Sequence, residues 1–537
     1  MALTRTGPLE DQDRSTASAA TAPAAPPAPP RPRLTVLADP YAAVAPRADA
    51  ALRSVHLEAL LADPRDEANP YGFQALAAAR RAGKPAPAPA PAPAPVPASG
   101  PAAGGGAVEA EVPAEVLAEV LAAVRAEVVP VAAGGNFSTG DQLVRVLRPL
   151  FRRDVVFGHG HVLRELHAAA EPGSARQLAT LLGPAALIAA AGTVLRGTVR
   201  IVAEDTGMRR WRAPLAVAFA DLLACDTLVT VGLRATALPE GGGPAVRAAA
   251  GYAVPVVLAD VLDEVGLVLD ECGLPAATAE RRLLAGVRAG LPAAGADRTD
   301  VAARQADLVR ELPALAAAFG QRRDPAGPPA AAGSALFRLD SAMPARSLPP
   351  EPGSDDTLVS ALTAAHDRLT RIAAAADVGG GEPVTPALTR VTARLLSEQR
   401  ALARKARQTG PADPADPAVR ALADRQALVL LAAAVLGVQG AAHDGRDPGR
   451  DPRDAARDGR DPGRDPRDAA RDGRGEFLAA PHWALLAASR VTERLGIAPD
   501  GPGGPAAVEA RDRMWDELDT RDRYGVDCDV YATRVLW

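Results

Sequence analysis

Along most of this chain, apolar residues recur at three- and four-residue steps and almost nowhere at two. A helix turns every ~3.6 residues, so that spacing puts them on one helical face. Val116, Leu117, Val120, Leu121 and Val124 form the first clear stripe. Val194, Leu195, Val199 and Val202 form a second. Leu215, Phe219, Leu222 and Leu223 begin a third, continued by Leu228, Val229 and Leu233. A fourth covers residues 252–269, with Pro255 near its start. Further helices are predicted over 357–375, 386–407, 418–438 and 483–495. The best short extended candidate is 336–339. The predicted fold class is therefore all-α.

Polar punctuation refines these elements. Asp63 and Asn69 read as start signals for a helix after Tyr71. Gly134 and Gly135 end one helical region, and Ser138 or Thr139 is placed to cap the next, because a hydroxyl accepts from a free amide of the first turn. Asp221 and Asp226 interrupt an apolar helix, either exposed or buried and hydrogen-bonded.

The pattern divides the chain into segments. Residues 1–33 are rich in Pro, Ala, Ser and Thr and read as a disordered tail. A short helical segment over 34–84 is followed by a Pro/Ala/Gly linker over 85–111, whose alternating Pro and Ala favour extended polyproline II. Helices then occupy 112–182, 183–340 and 341–440. Residues 444–457 recur identically at 458–471, each copy carrying four Arg and four Asp, so 441–475 reads as a solvated, self-neutralising loop. A last helical segment covers 476–537.

Composition adds limits. With 51 Pro and 48 Gly the chain is rich in both, and much of that excess sits in a few tracts, so the foldable part is shorter than 537 residues. Hydrophobic residues reach 48 %, but Ala supplies much of that, which calls for closely packed Ala-rich helices. A net charge of -5, from 60 basic and 65 acidic residues, gives no field to attract nucleic acid. The first residues lack the apolar stretch of a secretory signal. The longest clean apolar run, 427–438, is shorter than the roughly 20 residues of a membrane span. The expectation is a cytoplasmic protein without membrane contact. Cys225, Cys272 and Cys528 are far apart and fit no metal or redox spacing.

Chemistry-bearing clusters are few. His159, His161 and His167 lie close together, but nothing in sequence completes a metal site, and a turn at Gly158–Gly160 before a helix with an exposed His167 is expected. No nucleophile elbow, P-loop or zinc-protease motif is present. The catalytic and cofactor-binding residues are thus unassigned, and no metal ligands are expected.

Several segments in order resemble the acyl-CoA dehydrogenase family, in particular divergent members from natural-product pathways. They are ADPRDEANPYGFQAL (62–76), VVPVAAGGNFSTGDQLVRVLRPLFRRD (128–154), the segment 192–235, GYAVPVVLADVLDEVGLVL (251–269), ALFRLD (335–340) and ADRQALVLLAAAVLGV (423–438). The resemblance implies an N-terminal helical domain, a central β-domain and a C-terminal four-helix bundle. It implies FAD between the last two, often near a subunit interface. It also implies an acyl-CoA or acyl-carrier thioester as substrate, with a Glu removing the α-proton as the flavin takes hydride. Arg209, Arg210 and Arg212 stand near the place of the family's pyrophosphate-binding Arg, and Glu271 and Glu280 are the nearest Glu candidates.

The β-domain would lie near 182–186, where a strand-rich domain of roughly a hundred residues is expected. Residues 152–191 instead form a short bridge of helical pattern. Two readings follow: an acyl-CoA dehydrogenase-like protein that uses FAD, or a non-catalytic helical subunit that serves structure or homo- or hetero-oligomerisation.

Overall fold

The computed structural model describes residues 46–81, 139–169, 172–237, 243–276, 278–320, 335–340, 354–376, 383–408, 413–445, 475–497 and 504–537, with Ala122, Arg125 and Met343. The expected tail, the linker, most of the repeat loop and all five apolar residues of the 116–124 stripe lie outside them. Among the described residues the fold is all-α, and the β pairing is one isolated antiparallel bridge, Val526 to Arg534.

The chain opens with α1 (Pro46–Leu61) and α2 (Phe73–Arg81). Between them Asn69 organises the turn: its amide donates to the Leu61 and Asp63 carbonyls at 2.8 and 2.7 Å, and its oxygen accepts from the Tyr71 amide at 2.9 Å. Next come α3 (Gly140–Arg153) and α4 (Val155–Ala169). Thr139 occupies the cap position of α3, but its hydroxyl donates to Asp141 instead of accepting from a backbone amide. Asp154 breaks the helix by turning extended, and its carboxylate caps α4 through the Phe157 amide at 2.9 Å. The expected turn at Gly158–Gly160 is absent, because α4 runs through both glycines. Gly158 is where α4 meets α3: a Cβ there would stand 2.9 Å from the Leu150 carbonyl.

The centre is built from α5 (Pro172–Glu204), α6 (Arg212–Ala235) and α7 (Pro244–Glu271). A 3-10 turn, Thr206–Trp211, joins the first two and is capped by Asp205, which accepts from the Gly207 amide at 2.8 Å. α5 and α6 run antiparallel, since Gly192 faces Leu222 while Leu181 faces Gly232. All three helices pack on one another. Val194, Leu195, Val199, Val202, Phe219 and Leu228 are completely buried, as their spacing predicts. Pro255 is internal to α7, which starts a full eleven residues earlier, at Pro244. Proline at the first helical position suits a terminus whose amide has no partner anyway.

Outside this centre lie α8 (Ala279–Gly290), α9 (Arg298–Gly320), α10 (Ser354–Ala376), α11 (Val384–Gln408), α12 (Pro417–Asp444), α13 (Pro481–Arg494) and α14 (Pro505–Arg523). α12 lies against α6 and α7, and α13 and α14 close over α6. Residues 45–537 form one compact unit. α5 crosses the expected boundary at 182/183, and α12 crosses that at 440/441.

Residues 336–339 are not extended. Ala335–Phe337 form a helical turn, and the successive Ala335 and Leu336 carbonyls, with that of Arg338, all accept from the buried Arg234 guanidinium, the last two at 3.0 Å. A strand would point successive carbonyls apart, so this convergence selects the turn. Three helical stretches, Gln177–Glu204, Thr206–Ala235 and Pro417–Asp444, are long and apolar enough to cross a bilayer. Their most apolar windows are 89, 94 and 72 % buried in the protein, so here that surface packs against other helices.

Candidate functional site

The densest polar cluster is buried. α3 is amphipathic in sequence, yet its polar face is as enclosed as its apolar one, with Arg148, Arg152 and Arg153 at most 3 % exposed. The partners come from elsewhere. α14 ends at Arg523, and two residues on, the positive φ of 61° at Gly525 lets the chain reverse, with the Val526 amide bonding back to the Arg521 carbonyl at 2.8 Å. The final segment is thereby laid along α3. Arg148 binds Asp527 at 2.5 Å and Asp226 of α6 at 3.2 Å. Arg152 binds Asp527 at 3.0 Å and Glu58 of α1 at 2.6 Å, and Arg153 reaches Glu58 at 3.3 Å. Arg521 donates to the Asp527 and Asp529 carbonyls at 3.1 and 2.7 Å. Trp537 donates to Glu58 at 2.6 Å.

This layer has its own electrostatics. Burial pushes the Asp226 carboxyl up to about 6 although Arg148 pulls the other way. Burial also acts to raise Asp527, but Arg152 and Arg148 hold it well below the usual carboxylate range. Burial pulls Arg153 down to about 10, with Glu58 opposing. The layer is an architectural seal: its charges face one another across α1, α3, α6 and the final segment, away from solvent.

The residues singled out from sequence fall into separate places. Asp221 and Asp226 are both buried and engaged. Asp221 receives both terminal nitrogens of Arg494 at 2.8 Å and Arg490 at 3.3 Å, tying α6 to α13. His159 is buried against the Ala293 backbone, and burial lowers its pKa. His161 pairs its Nδ1 with the Phe157 carbonyl at 2.8 Å, and His167 is exposed. No group of three or more His, Cys, Asp or Glu among the described residues could hold a metal ion.

Arg209 and Arg210 are exposed on the 3-10 turn, and Arg210 pairs with the exposed Glu271. Arg212 stacks on Trp515 at 5.1 Å. Glu280 packs its side chain against Gly197 of α5, 3.0 Å from where a Cβ would stand. These five do not converge on one concavity. Cys225 and Cys528 are fully buried, and burial raises both thiols, Cys528 to about 12.

The place of the expected domain insertion is also occupied. α5 passes without a break through 182–186, and every residue from 181 to 199 is buried. A Cβ on Gly183 would come within 2.2 Å of the Ala294 carbonyl oxygen, on the 3-10 turn Pro292–Ala294. Glycine is required there because the turn's backbone lies directly on the helix.

Two larger concavities stand out among the described residues. A cleft of about 590 Å³ beside the final segment is lined by Arg200, Glu204, Asp519, Asp522, Arg523 and Trp537. Its charges are largely engaged, Arg200 with Asp522 at 2.8 Å and Arg523 with Asp519 at 2.5 Å. A cavity of about 480 Å³ opens where α6, α7, α11, α13 and α14 meet. Val217, Val391, Leu485, Leu486 and Ala510 give it an apolar floor, and Glu264, Ser489 and Arg511 a polar wall. Burial raises the Glu264 carboxyl, with Arg490 opposing. Among the described residues, no hydrogen bond or ion pair engages Arg511 or the Glu264 carboxylate. The cavity is the candidate site. Sequence reading passed over its polar residues; the available signal was the small face Ala506, Ala507 and Ala510 beside Arg511. No family model, no curated protein and no solved structure matches this chain.

Proposed function

We propose that this chain is a non-catalytic helical subunit, serving structure or oligomerisation, whose flanking segments share ancestry with acyl-CoA dehydrogenases. The observation that carries this reading is the unbroken α5 at 182–186, pressed at Gly183 onto the Ala294 carbonyl. A domain inserted at that point would have to unwind α5 and open the buried run 181–199. The surroundings of the family-like residues speak the same way: Arg210 and Glu271 pair with each other, and Glu280 packs on α5. They offer no shared cradle for the pyrophosphate and flavin of FAD, so no step is derived through that group.

Purified full-length protein tests this. The expected result is a colourless sample whose melting temperature is unchanged by added FAD. A ligand that binds the native state at a hundred times its Kd stabilises by about 2.7 kcal/mol, which a melt would register. Light scattering after size exclusion is expected to give an assembly of two or more chains, alone or with a co-expressed partner. Stoichiometric flavin absorbance that bleaches on addition of an acyl-CoA would overturn the proposal.

A further inference from the structure

The cavity between α6, α7, α11, α13 and α14 is built differently from the rest of the protein. At about 480 Å³ it lies within the ~300–1,000 Å³ of small-molecule sites, which pair an apolar lining with a few placed polar groups. Each contributing helix presents one face. α13 offers Leu485, Leu486 and Ser489, a helical turn apart, and α14 offers Ala507, Ala510 and Arg511. Small Ala side chains keep the helices close while leaving the space between them open.

The wall is not neutral. Arg490 is balanced by Asp221 at 3.3 Å and Glu493 at 2.7 Å. Arg511 is half-buried with no ion-pair partner among the described residues. Two acids line the same wall: Glu493 is taken by Arg490, and burial raises the pKa of the Glu264 carboxyl, against Arg490 and Arg494. Arg511 thus stands open to a ligand beside an apolar floor. A cationic head group would meet the unpaired Arg511. An uncharged ligand would leave the half-buried Arg511 without a partner, and unmet polar groups weigh against binding.

We propose that this cavity binds a small amphipathic carboxylate, with Arg511 and Ser489 holding its head group and Val217, Val391, Leu485 and Leu486 its apolar tail. The inference does not depend on the subunit role above, since a non-catalytic protein binds or does not bind such a molecule regardless of flavin.

Equilibrium dialysis of the full chain against labelled decanoate tests it, with decyltrimethylammonium and decanol as probes of head-group charge. Saturable binding of decanoate at one per chain is expected, with no comparable uptake of the cation or the alcohol. Arg511→Gln, at a half-exposed position, should weaken decanoate about tenfold, the scale of one charge-assisted hydrogen bond. Ala387→Trp, which fills the cavity from α11, should abolish binding. If Ala387→Trp lowers the melting temperature, Arg511→Gln alone decides. Absence of saturable binding, including the case where another segment of the chain covers the cavity, would overturn the proposal. So would equal binding of the cation, or unchanged affinity in Arg511→Gln.

Discussion

The layer around α3 and the cavity between α11, α13 and α14 use the same side chains in opposite ways. In the layer, Arg148 and Arg152 are enclosed, and Asp226, Asp527 and Glu58 are brought to them from three distant parts of the chain. At the cavity, Arg511 and Glu264 are half-buried and no described residue forms a hydrogen bond or ion pair with either side chain. Removing a charge from water is costly, so an enclosed Arg persists only with partners in place. A half-open Arg still has water and remains available to a ligand. The lesson is that charge content does not mark function in this protein. The state of engagement does.

The comparison is broken most severely by disrupting the layer. Asp527→Ala leaves Arg148 and Arg152 buried without their shared partner, and a loss of about 3–5 kcal/mol is expected in urea unfolding. A loss under 1 kcal/mol would show that the final segment is not locked as described. Next is Gly183→Ala, which places a methyl against the Ala294 carbonyl and should cost about 1–3 kcal/mol by overpacking. A neutral outcome would remove the tight junction on which the subunit proposal rests.

A pH series sharpens the contrast. Folded Asp226 titrates at about 6 against an ordinary value of 3.8, so the folded state holds the extra proton between them and stability falls as pH rises through that range. Asp527 has the opposite sign: depressed when folded, its contribution is present above its ordinary 3.8 and lost as pH falls below it. From these two groups, maximum stability is expected at about pH 4, with a decline that runs to about pH 6. Asp226→Asn should flatten that decline, as followed by thermal melts across pH. The smallest effects belong to the cavity. Arg511→Gln and Glu264→Gln remove no partnered charge, and each should change stability by less than about 0.5 kcal/mol. A large loss from either would place these residues in the architecture.

Much of the fold was legible before any coordinates. The stripes Val194–Val202 and Leu215–Leu233 are core because helical periodicity is local and the apolar faces had to be covered. Local signals misled where tertiary contact overrode them. Thr139 turned its hydroxyl to Asp141, which also accepts from the distant Arg234. Residues 336–339 gave up extension to supply carbonyls to the same Arg. The cavity was not legible at all, because its lining comes from five helices spread over some three hundred residues.

By itself, then, the sequence determined an all-α chain, its main helices and the apolar face of each, since these depend on neighbours a few residues away. Tertiary structure alone decided that Asp226 and Asp527 meet Arg148, that α5 passes unbroken under Ala294, and that Arg511 and Glu264 share one open cavity. Each of those depends on which distant backbones approach one another, and that choice belongs to the packing of the whole chain.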